Sequence, residues 1–130
     1  MVLGQDTWQP IVSMAHCRTG VGASVGPDGC LYVAGGSPDG SRNHRSAERF
    51  DPREGKWSML PRMTLRRGYC SATFCASGLF YVSGGIGSHD EELQSVECFD
   101  PAAGKWICVN FTKQWGLTRA DHASIWTWVE

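Results

Sequence analysis

Charge is scarce in this sequence. Only 19% of its 130 residues are charged and the formal net charge is −1, where globular chains average about 25% charged. The basic excess of a general nucleic-acid binder is missing, so no nucleic-acid partner is expected. No apolar run approaches the ~20 residues that cross a bilayer. Residues 1–10 (MVLGQDTWQP) lack a basic stretch followed by an apolar one, so no signal peptide is expected. The expected location is the cytoplasm, without membrane association. The six cysteines, Cys17, Cys30, Cys70, Cys75, Cys98 and Cys108, include no CxxC pair; this argues against a zinc ribbon, and in a reducing compartment they remain thiols. P-loop, GxSxG and HExxH motifs are all absent.

Glycine and tryptophan are plentiful instead. There are 16 glycines and 6 tryptophans, and 42% of the chain is hydrophobic. That is enough apolar material for a core. Much glycine with many aromatics favours short strands joined by turns over long helices.

Self-similarity organises the chain. At an offset of about 49 residues Trp8 falls on Trp57 and Trp57 on Trp106, Met14 on Met63, and Arg18 on Arg67. LYVAGG (residues 31–36) falls on FYVSGG (80–85), and ERFDPREGKW (48–57) on ECFDPAAGKW (97–106). The period gives a lead at 1–7, repeats at 8–56 and 57–105, and a partial or divergent third repeat or tail at 106–130. Each unit predicts four strands: 22–25, 31–34, 47–50 and 57–60, then 70–74, 80–83, 96–99 and 106–109. Glycine- and proline-rich turns separate them, such as Gly26-Pro27-Asp28-Gly29 and Asp51-Pro52 followed by Gly55. Four short antiparallel strands per unit is the arithmetic of a propeller blade. The expected fold is therefore all-β, about two four-stranded blades with an incomplete third.

These residues resemble the kelch repeat. The double glycine (Gly35-Gly36, Gly84-Gly85) is followed by Glu48 or Glu97, an aromatic before Asp-Pro, then Gly55 and Trp57 or Gly104 and Trp106. The spelling is most similar to kelch-like adaptors. The resemblance implies a partial kelch β-propeller that binds proteins without catalysis. In such adaptors the propeller holds a substrate, while helical BTB and BACK regions, not found in these residues, engage a cullin-RING E3 ubiquitin ligase. An actin or cytoskeletal scaffold is the alternative within the family. After Trp106 the phase fails, and no further double glycine follows. Two and a half blades leave apolar faces and strand edges to cover, so self-association or packing with further blades is expected, with Trp115, Trp126 and Trp128 packing on the last blade or a neighbour.

Residues repeated in phase belong to the scaffold: Tyr32, Tyr81, Trp57, Trp106, Glu48 and Glu97. Each glutamate, if buried, needs a partner, for which the arginine of the following blade-opening segment and backbone amides are candidates. Specificity belongs where the repeats differ, on loops. The loop after the double glycine is basic in one unit (Arg42, Asn43, His44, Arg45) and acidic in the next (Ser88, His89, Asp90, Glu91, Glu92). The expected partner contacts are Arg18, Arg42, Asn43, His44, Arg66, Arg67, Tyr69, His89 and Asp90. By the resemblance Arg18 and Arg67 line the ligand face, where an arginine fork suits a peptide carboxylate. Copper oxidases of the galactose oxidase type use similar blades, but their metal needs tyrosines and histidines. Here Tyr32 and Tyr81 are locked into the repeat and the four histidines are scattered. No catalytic residue, metal or cofactor is expected. Cys17 and Cys70, near arginines, are the best-placed thiols for reactivity.

Overall fold

The computed structural model describes residues 7–109. Every element among them is a strand. The first sheet holds β1 (Gly22–Val25), β2 (Leu31–Ala34), β3 (Ala47–Asp51) and β4 (Lys56–Met59). The second holds β5 (Ser71–Phe74), β6 (Phe80–Ser83), β7 (Val96–Asp100) and β8 (Lys105–Val109). Each sheet is an antiparallel meander in chain order. The strands fall within a residue or so of the positions that the repeat predicts. The segment beyond residue 109, with Trp115, Trp126, Trp128 and the expected third repeat, lies outside the described residues. Among the described residues no helix is long and apolar enough to cross a membrane.

The register repeats as closely as the sequence does. Val33 sits opposite Glu48 and Val82 opposite Glu97, while Phe50 faces Trp57 and Phe99 faces Trp106. The turns close by the chemistry their residues supply. The Gly29 amide donates to the Gly26 carbonyl at 3.0 Å, and the Gly55 and Gly104 amides return to Asp51 and Asp100 at 2.8 and 2.7 Å. The period counted from tryptophan to tryptophan and the sheets are offset in phase: Trp57 lies in β4, the last strand of the first sheet.

The core lies between the two sheets. Tyr32, Ala34 and Ala47 of the first face Phe80, Val82 and Phe99 of the second, with Met63 and Cys70 beside them. The Tyr32 ring stands 4.8 Å from Phe74 and 5.5 Å from Phe80, and Phe80 continues to Trp106 at 6.1 Å. Burying side chains of this size stabilises the fold by about 1.5–3 kcal/mol each. The first strands of the two sheets, β1 and β5, carry the approach of one sheet to the other. On the far side of the first sheet Val25 and Met59 stay exposed.

Candidate functional site

The segment opening each sheet runs back across its own β2 and β3, and there the structure corrects two expectations. Arg18 and Arg67 do not reach a ligand. Their side chains, like those of Glu48 and Glu97, are 0% exposed. Arg67 donates through Nε to Glu97 Oε2 at 3.1 Å. Its Nη1 serves the carbonyls of Gly84 and Ser95 at 2.9 and 3.0 Å, and Nη2 the Ser95 hydroxyl at 2.7 Å. Arg18 repeats this set on Glu48, Gly35 and Ser46 at 3.1, 2.7, 3.0 and 2.7 Å. The carboxylates also accept amides: Ala15 and His16 on Glu48, Thr64 and Leu65 on Glu97. A charge buried on a central strand is tolerable only when paired and fully hydrogen-bonded, and this satisfaction consumes the arginine fork. The pairing partner also differs from expectation: it is the arginine that opens the same blade, upstream of its glutamate.

Asn43 has a structural part as well. It is 6% exposed, and its Nδ2 donates to the carbonyls of Ile86 and Gly87 at 2.9 and 3.2 Å. It thus pins the loop after the first double glycine onto the second sheet. Its Oδ1 accepts no hydrogen bond and faces Gly68 so closely that a Cβ there would collide with it. The space admits only an α-hydrogen, a weak C–H···O contact.

Arg42, His44 and Arg66 do come together. With Pro38, Asn43 and Ser88 they line a crevice of about 360 Å³ between the blades. Arg66 donates to the Asn43 carbonyl at 3.0 Å, and His44 contacts the Cys17 carbonyl through Nε2 at 3.0 Å, so Nε2 carries the proton. Arg42 is largely exposed, 3.8 Å from Asp39. The Arg42 and Ser41 amides and the Ser41 hydroxyl hold the Asp39 carboxyl well below the usual carboxylate range. Tyr69 is 58% exposed and has φ 55°. Its counterpart in the first repeat is Gly20, with φ 69°. The Tyr69 ring lies on Gly20, and its hydroxyl end is directed toward Gly40. His89 and Asp90 are exposed on the second blade's loop but do not line the crevice; the His89 amide caps Glu91 at 2.9 Å. Ser88 belongs to the divergent loop that the sequence singles out, whereas Pro38 carries no sequence signal for a site, since a crevice between loops depends on the packing of two blades.

The remaining chemistry is structural. Burial pushes the Cys70 thiol up, while Cys17 is exposed. The Tyr32 phenol donates to Asp28 Oδ2 at 2.8 Å, and burial together with that carboxylate pushes it up to about 12. Among the described residues no group of three or more histidine, cysteine, aspartate or glutamate side chains is placed to hold a metal.

The kelch motif matches residues 18–64 and 66–110. A solved structure of a fungal alcohol oxidase of the AA5 family, in complex with copper, is similar with a TM-score of 0.59 and 28% identity. The similarity covers 71% of this chain and 18% of that one, so the chain spans a small part of that oxidase's length. No curated protein matches the chain. Two adjacent motif matches, each laid over one four-stranded sheet with the same buried Arg–Glu pair, place this chain in the kelch repeat family.

Proposed function

We propose that the chain is the non-catalytic, substrate-recognising part of a kelch-like adaptor, cytoplasmic, which holds a protein for a cullin-RING E3 ubiquitin ligase. Kelch repeats make protein-interaction modules, and the adaptor role rests on the spelling of the repeats. One observation carries the recognition reading. The two blades share a buried frame atom for atom, yet their rims differ in charge and shape. A site free to diverge on a fixed scaffold is how binding specificity is usually arranged. Arg42, His44, Arg66 and Tyr69 are the contacts, with His89 and Asp90 on the adjoining loop. The copper belongs to the oxidase named above; here the in-phase Tyr32 is committed to Asp28.

Affinity purification of the tagged protein from cells tests this. The expected result is co-purification of a cullin with a partner whose ubiquitination falls when the cullin is inhibited. Recovery of filamentous actin without any cullin would replace the reading with the cytoskeletal one.

A further inference from the structure

The joint between the two sheets is specified at two places and formed at one. Within the chain, Phe74, Phe80, Phe99 and Trp106 of the second sheet pack on Tyr32, Ala34 and Ala47 of the first. One period earlier stand Val25, Leu31, Phe50 and Trp57. Strand alternation puts them, with Met59, on the outer face of the first sheet. That face is open: Val25 is 63% exposed, Met59 is exposed, and Leu31, Phe50 and Trp57 are half-buried. The opening segments show the same contrast, Met63 being fully buried and its counterpart Met14 only half-buried. A contiguous apolar face of this kind marks a contact surface.

The hydrogen bonds repeat the contrast. Three amides tie the second blade's opening segment to the first blade: Met63 to the Arg45 carbonyl at 2.7 Å, Arg67 to His44 at 3.0 Å and Tyr69 to Gly20 at 2.7 Å. In return the Gly36 amide donates to the Arg67 carbonyl at 2.8 Å. Met14, Arg18 and Gly20 are the counterparts at the front of the chain. Among the described residues their amides have no backbone acceptor, and neither has that of Gly85, the counterpart of Gly36. The two half-joints are complementary. The first blade offers three donors and an apolar face. The second carries Leu93, Gln94 and Tyr69 where the acceptors His44, Arg45 and Gly20 stand, and Tyr81 and Val96 where Tyr32 and Ala47 stand.

We infer that a second copy of this chain docks on the first sheet's outer face, laying its own second sheet there in the register of the internal joint. Such a contact is heterologous, one patch against a different one, and it repeats until a ring closes. With two sheets per copy and about 4–8 blades in a propeller, the ring takes about two to four copies. The inference goes beyond the recognition reading and does not depend on it. One position makes the joint between copies looser than the joint within. Gly22 lies so close to the second sheet that a Cβ there would meet the Ala72 Cβ. Its counterpart Ser71 has a side chain, which holds the neighbour's first strand further away.

The test is light scattering on the whole chain over a range of concentrations. The natural chain is expected to pass from a single copy to a closed oligomer as concentration rises. Val25→Glu alters the first sheet's outer face and Ser71→Arg the second's, both at exposed positions. Each variant is expected to remain a single copy, with the melting midpoint of the dilute natural chain. Mixed together they are expected to form a one-to-one pair, because each retains the half-joint that the other has lost. Ser71→Gly is expected to associate several-fold more tightly than the natural chain. A natural chain that stays a single copy at every concentration would overturn the inference. So would an oligomer that survives Ser71→Arg but not Val25→Glu, since two first sheets would then face each other. Variants that never pair on mixing, or growth into open filaments, would overturn it as well.

Discussion

The two blades are copies that differ in one telling way. At the inner ends of β2 and β3 they are interchangeable: Arg18 with Glu48 and Arg67 with Glu97 bind the same set of atoms at matching distances. At the opposite turn they are unlike. In the first blade Asp28 accepts from the Tyr32 hydroxyl at 2.8 Å and from the Cys30 amide at 3.0 Å, with Arg49 3.4 Å away and 5.9 Å over the tyrosine ring. In the second, the corresponding positions are Ser77, Tyr81 and Cys98, and the Ser77 hydroxyl meets the Cys75 thiol at 2.8 Å. The difference follows solvent. The inner pair is sealed and every donor is used, so no member can change alone. The turn is half in water, which compensates whatever is lost there.

Breaking the sealed pair is expected to have the largest effect. Glu97→Ala leaves a buried guanidinium unpaired and should destabilise the chain by about 3–5 kcal/mol, measured by urea unfolding. Arg18→Ala leaves the buried Glu48 carboxylate without its guanidinium and should cost about as much; a clearly smaller loss would show that the two sealed pairs are not equivalent.

Gly68→Ala comes next. Its Cβ meets Asn43 Oδ1, and overpacking of this kind costs about 1–3 kcal/mol. The counterpart Thr19 already carries a side chain and is exposed, so Thr19→Ala should stay within about 0.5 kcal/mol. The double variant Asn43→Ala with Gly68→Ala should show strong coupling in a double-mutant cycle.

Tyr32→Phe removes one hydrogen bond and should destabilise by about 0.5–1.5 kcal/mol. The same phenol gives a pH signature. Its folded pKa is raised from the ordinary value of about 10 to about 12. The stability it contributes is complete below pH 10 and fades between those two values. Alkaline unfolding monitored alongside phenolate absorbance should show this loss in the natural chain and not in Tyr32→Phe.

The smallest effect belongs to the rim. The Asp39 carboxyl is depressed by the Arg42 and Ser41 amides, so its ordering of the loop is present above the ordinary carboxylate range and lost only as pH falls well below it. Asp39→Ala should speed hydrogen exchange at the Ser41 and Arg42 amides with no shift in the unfolding midpoint.

The strands were legible because glycine pairs, Asp-Pro turns and tryptophans recur at one spacing, and pairing depends on such local features. Arg18 and Arg67 were misplaced because an arginine in a loop resembles a solvated charge. A signal was nevertheless present: they repeat in phase, as Glu48 and Glu97 do, and repetition marks scaffold. The Asn43 pin had no such mark, since its counterpart is Glu92. The crevice and the strain at Tyr69 arise only when two loops meet across a blade boundary, which spacing along one chain does not encode.

Arg67 holds the first blade with its main chain and the second with its side chain. Swivelling one sheet against the other would tear at least one of these attachments. The loops above are therefore set at a constant separation, like jaws of a fixed gauge, and whatever docks there must adjust its own conformation to the gap, with the ordering penalty falling on the guest.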